Sequence, residues 1–104
     1  KVGYVVGTKS ELLENNVVTK EGGFIGIGKI KKLSDNLNLN YFTYNSKTDL
    51  NYILIGSRNI KLITSHPSSS FQLIKSQENV IDSLIILQKE EFWQNSKFLV
   101  IEVK

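Results

Sequence analysis

The chain has no cysteine and no methionine, and only one proline, one histidine, one tryptophan and one arginine. Without cysteine there is no disulfide, no thiolate metal site and no thiol nucleophile. The redox character of its compartment therefore leaves no mark on the sequence. A first residue other than methionine, with no methionine further on, is expected of a processed chain or a cut fragment. A lone histidine, His66, makes a poor start for a catalytic zinc centre, which draws on several imidazoles or on histidine with carboxylates. Arg58 is the sole arginine among 13 cationic side chains. Base-reading proteins rely on the bidentate guanidinium, so this is a poor composition for that task. The net charge is only +3, and solubility accounts for it. The longest apolar runs are about four or five residues, too short for a membrane helix or the core of a secretion signal.

What is present reads as one globular domain over residues 1–104, with 40% hydrophobic residues to fill its core. Val2 to Val6 is β-branched and aromatic and predicts a strand. Thr8-Lys9-Ser10-Glu11 fits a capping box opening a short helix over Lys9 to Glu14, which Asn15-Asn16 can end. Val17-Val18-Thr19 is long enough only for a bridge or an edge. Glu21 to Gly28 is a glycine-rich turn, and Lys29 to Leu33 alternates charged and apolar residues. Tyr41 to Tyr44 predicts a strand or a turn leading into one. Tyr52 to Ile55 and Ile60 to Thr64 predict two strands of a hairpin, with Gly56 supplying positive φ in the loop. Phe71 to Lys75 and Val80 to Leu87 follow as strands joined by a tight turn. A helical turn over Lys89 to Asn95 leads to a last strand, Lys97 to Val103. Phe98-Leu99-Val100-Ile101 is apolar on both faces and predicts a central position. The fold class expected is α+β and β-rich: a compact, mostly antiparallel sheet with two short helices.

Two stretches invite a chemical reading. Gly23-Phe24-Ile25-Gly26-Ile27-Gly28-Lys29-Ile30 nearly spells the phosphate-binding loop G-x-x-x-x-G-K-[ST]. Ile30 has no hydroxyl for Mg²⁺, and Ser34-Asp35-Asn36 breaks the helix that the loop must open. A structural turn is the better reading, and no cofactor and no metal are expected. Thr64-Ser65-His66-Pro67-Ser68-Ser69-Ser70-Phe71 is a polar corner between apolar runs. Neighbouring serines and a histidine in an extended loop point apart, and no strained nucleophile elbow is present. Pro67 fixes the bend, and the hydroxyls of Ser65 and Ser68 to Ser70 are expected to satisfy backbone groups there. Tyr41, Tyr44 and Tyr52 lie near asparagine-rich loops, where Tyr and Asn can grip a protein or a sugar. No catalytic residue is assigned. The candidate ligand or partner contacts are His66, Ser68, Ser69, Ser70, Tyr41, Tyr44 and Tyr52.

Four blocks in order carry a resemblance: Tyr4-Val5-Val6-Gly7-Thr8-Lys9-Ser10-Glu11-Leu12, Asn40-Tyr41-Phe42-Thr43, Lys61 to Phe71, and Phe92 to Ile101. Together they resemble the C-terminal domain of a family of Bacteroidota envelope proteins. Those proteins look like lipoproteins with a long coiled coil before this domain, and some members are labelled collagen-binding adhesins. The resemblance implies a C-terminal piece of a longer coiled-coil protein and a location in the cell envelope, in the periplasm or on the outer-membrane surface. It implies a non-enzymatic structural or interaction module that caps a membrane-anchored stalk. Its partner would be a protein or an envelope or extracellular-matrix component, with self-association through the upstream coiled coil, membrane contact only through the upstream anchor, and no nucleic acid. The alternative is a small hydrolase-type enzyme using His66 with a nearby carboxylate. A nucleic-acid module built on Lys29, Lys31 and Lys32 is a third reading.

Overall fold

The computed structural model describes residues 1–25 and 37–104. Two strands dominate its centre. β1 (Val2–Thr8) and β7 (Phe98–Val103) run parallel, Gly3 opposite Phe98 through Thr8 opposite Val103. β2 (Thr43–Asn45) pairs antiparallel with β1, and β4 (Ile60–Leu62) antiparallel with β7. The resulting four-stranded sheet has the order β2-β1-β7-β4. A second, fully antiparallel sheet has the order β3-β6-β5, from Tyr52–Ser57, Ile81–Ile86 and Phe71–Lys75. The β-rich α+β class is as the sequence predicts, and β7 is central, with a strand on each side.

Alternation along β1 and β7 explains the layering. Val2, Leu99 and Ile101 face the second sheet and meet Ile53, Leu84 and Ile86 there, with Phe92 and Trp93 beside them. Val5 and Val100 face the other way, onto Leu12, Val17, Val18, Phe24, Leu37 and Phe42. Both faces of the four-stranded sheet are thus covered, as a strand that is apolar at every position requires. Leu99, Val100 and Ile101 are fully buried.

The local signals account for most boundaries. Thr8 caps α1 (Lys9–Glu14): its hydroxyl accepts from the Glu11 N–H at 3.2 Å, and its own N–H donates to the Glu11 carboxylate at 2.8 Å. These contacts hold the Glu11 carboxyl below the usual carboxylate range, the Thr8 backbone N–H first and its hydroxyl second. Asn16 takes the left-handed conformation that stops the helix, at φ 55°. Val18 bridges Phe24 across a small turn. A single 3₁₀ turn over Leu39–Tyr41 leads into β2. The second helix, α2 (Lys89–Phe92), carries Glu90 and Glu91 in its first turn.

Three expectations are corrected. The predicted single sheet is two. The last strand pairs in parallel with the first, because the return between them spans the rest of the domain and no short loop has to make the crossover. The predicted hairpin of Tyr52–Ile55 and Ile60–Thr64 does not form: β3 pairs with β6 and β4 with β7. Gly56 does adopt positive φ, 71°, but at an irregularity within β3 between Leu54 and Ser57, and the chain passes to the other sheet only after Ser57, at Arg58-Asn59. The Lys29 to Leu33 segment, most of the phosphate-loop match, and Lys29, Lys31 and Lys32 lie outside the described residues.

Candidate functional site

The corner from Thr64 to Phe71 is the third crossing between the sheets, from β4 to β5. Ile63 still donates to the Val100 carbonyl at 2.8 Å. At Thr64 the side chain takes over from the backbone, and its hydroxyl oxygen accepts from the Val100 N–H at 3.0 Å. That hydroxyl lies 2.8 Å from His66 Nε2, while His66 Nδ1 lies 2.7 Å from the Phe92 carbonyl oxygen. A carbonyl only accepts, so the proton of the neutral ring sits on Nδ1. Nε2 then accepts from the Thr64 hydroxyl, and the bonds run in one direction from Val100 through Thr64 to the imidazole. The ring stacks on Phe92 with centroids 4.2 Å apart and meets Trp93 edge-on at 5.7 Å. Burial pulls the His66 pKa below its ordinary value, and backbone contacts at Phe92 and Phe98 partly oppose this.

Pro67 supplies the bend at φ −58°. Its carbonyl accepts from the Ser70 N–H at 3.0 Å and from the Ser70 hydroxyl at 2.5 Å. The buried Ser70 carbonyl in turn accepts from Leu87 and Gln88 at 2.8 and 3.1 Å, tying the corner to the end of β6. The expected stabilising role of the hydroxyls therefore belongs to Ser70. Ser69 instead donates to the Glu91 carboxylate, and Ser65 and Ser68 are exposed. His66 is engaged by a hydroxyl and a carbonyl, and the Glu91 carboxylate accepts from Ser69.

His66 and the three serines are brought together, but the tyrosines do not join them. Tyr41 is half-buried against the α1-side core. Tyr44 sits on the edge strand β2, where its hydroxyl donates to the Leu39 carbonyl at 2.7 Å and partial burial raises its pKa. Its ring covers Gly3, where an added Cβ would stand 2.8 Å from a ring carbon. Tyr52 lies on the edge strand of the other sheet. Sequence reasoning missed Thr64 and Phe92 as the partners of His66, since neither contact has a spacing signature.

Of the outer face of the three-stranded sheet it named Tyr52 alone. Tyr52 pairs across to Ile85 and Gln72, and Leu54 to Ser83 and Ile74, which places these positions on the face opposite Ile53 and Leu84; the small Ser83 is covered there by its neighbours. Tyr52 is 57% exposed, Leu54 70%, and Leu87, just past β6, 50%. The only hint in the sequence is the unbroken apolar run Tyr52-Ile53-Leu54-Ile55, which reads equally well as a strand buried on both faces.

A cleft of about 150 Å³ lies between Lys1, Val2, Lys47, Trp93 and Lys97. Lys47 is paired with Glu90 at 2.8 Å. The Trp93 indole N–H is buried without a hydrogen-bond partner and closed to a water-sized visitor. Among the described residues no group of three or more His, Asp or Glu side chains could hold a metal ion, and no helix is long and apolar enough to cross a membrane. No family model, curated protein or solved structure matches the chain.

Proposed function

We propose that the domain is a non-enzymatic interaction module that presents the outer face of the three-stranded sheet to a partner protein. The observation that carries this reading is the exposure of Tyr52 and Leu54, which alternate with the buried Ile53 and so share the outer face of β3. Contiguous exposed apolar surface is costly to leave in water and marks an interaction site more often than scattered single residues do. The His66 corner supports the same reading. Both ring nitrogens are spent on the framework, which leaves no basic nitrogen for a substrate proton.

The resemblance to the C-terminal domains of coiled-coil envelope lipoproteins supports a place at the end of a membrane-anchored stalk in the bacterial envelope. An envelope or extracellular-matrix component is then the natural partner. The test compares binding of the domain and of a Tyr52→Ser, Leu54→Ser double variant to immobilised collagen and to peptidoglycan sacculi. Binding of the parent to one of the two, reduced about tenfold or more in a variant of unchanged melting temperature, is expected for a pair of apolar anchors. Equal binding by both proteins, or none by the parent, overturns the assignment of this face.

A further inference from the structure

The four sheet edges are not alike. Edge strands expose unpaired backbone groups, and natural sheets guard them by brevity or by charge, lysine above all. β2 and β4 are three residues each, and β4 carries Lys61. β5 ends in Lys75. β3 has six residues, Tyr52 to Ser57, with no charge and no proline among them. Among the described residues it is the one edge guarded by neither brevity nor charge, and its irregularity lies beyond Leu54, leaving Tyr52 to Leu54 regular.

Its backbone is also aimed outward at the apolar positions. The Ile86 N–H donates to the Asn51 carbonyl at 2.9 Å, so residues 51 and 86 form a hydrogen-bonded pair. In an antiparallel ladder these pairs alternate. Ile53 therefore bonds Leu84, while the N–H and C=O of Tyr52 and Leu54 point away from β6 to the free edge. The two residues whose backbone is unpaired are those whose side chains stand on the outer face.

We propose that the β3 edge pairs antiparallel with β3 of a second copy of this chain, making a continuous six-stranded sheet. A two-fold axis beside Ile53 places Tyr52 opposite Leu54 of the second copy, twice, with both backbone bonds exchanged in each pair. The outer-face side chains of those pairs are an aromatic and an aliphatic, a favourable cross-strand match. Charge selects the same occupant and orientation. Asp49 precedes the strand and Arg58 follows it. Antiparallel self-pairing carries each Asp49 to the Arg58 end of the other copy, whereas a parallel pair would put like charges together. Among the described residues Arg58 is paired with Glu78, at 3.7 Å on the exposed surface.

The inference goes beyond partner binding, and its test needs no partner, so either reading can fail alone. Sedimentation equilibrium of the parent should show a concentration-dependent dimer. Amide exchange at Tyr52 and Leu54 should slow as concentration rises, while Ile53 stays protected throughout. Leu54→Lys changes an exposed side chain and should raise the dissociation constant about tenfold or more, by setting a charge against Tyr52 at both symmetric positions. Arg58→Glu should also weaken the dimer, and adding Asp49→Arg to it should restore association. A parent that stays monomeric to about 1 mM, where association would be worth only about 4 kcal/mol, overturns the proposal. So does a dimer that Leu54→Lys leaves unchanged, or one in which the Tyr52 and Leu54 amides exchange at the same rate at every concentration.

Discussion

His66 shows how a residue with catalytic chemistry becomes a framework part. Its ring fills the gap between β4, β7 and α2, and its neutral form satisfies a hydroxyl and a carbonyl at once. Protonation would turn Nε2 into a donor facing a hydroxyl that already donates to it. Because the folded pKa is depressed, the unfolded chain binds the proton more readily between the ordinary imidazole value, about 6.5, and the lower folded one. Stability therefore rises with pH across that window: the contribution is complete above about pH 6.5 and is lost as pH falls through the folded pKa. Urea unfolding followed from pH 7.5 to pH 5 should show stability falling as the pH drops, and His66→Gln should reduce that dependence. A parent profile that is flat across that range would remove His66 from this role. That Pro67 sets a bend here and that a serine hydroxyl bonds the backbone within it was legible. Which hydroxyl matters was not, because Ser70 is singled out by burial under β6, a contact distant in sequence from the turn itself.

At the scale of elements, the start of α1 was the clearest local signal. Thr8 and Glu11 are three residues apart and exchange two bonds, a contact that needs nothing from the rest of the fold. Thr8→Ala should lower stability by about 1 kcal/mol, seen as a lower urea midpoint with an unchanged slope. Thr8→Ser should recover most of that loss. The β3–β4 segment went the other way. Two apolar runs around Gly56 look like a hairpin, but a strand's partner is decided by distant residues. β3 is captured by β6 and β4 by β7, so a turn signal became an inter-sheet passage. By contrast β5 and β6, joined across Glu78 and Asn79 at φ 65° and 62°, form the hairpin that their spacing predicts.

For the whole molecule, the apolar positions that face the interior are separable from those that face outward. Leu99 is fully buried between the sheets, while Leu54 is 70% exposed. Leu99→Ala should cost about 2–5 kcal/mol by deleting methyl groups and leaving a cavity, whereas Leu54→Ala should stay within about 0.5 kcal/mol. Denaturant unfolding of the two variants checks the contrast, and similar losses in both would contradict the layering. The central place of β7 was legible because Phe98 to Ile101 is apolar on both faces. Its parallel pairing with β1 and the split into two sheets were not, since periodicity reports which faces are buried and not what buries them.

The parallel pairing of β1 and β7 gives the domain a direction under load. Six residue pairs, from Gly3–Phe98 to Thr8–Val103, join the two strands side by side. Residue 1 leaves this ribbon at one end and residue 104 at the other. Tension applied between those residues slides β1 along β7, so the bonds along their common length resist together. Tension across the ribbon would open them one after another, like a zip. The same strands that bury the core thus make the domain stiffest along the line joining its first and last residues.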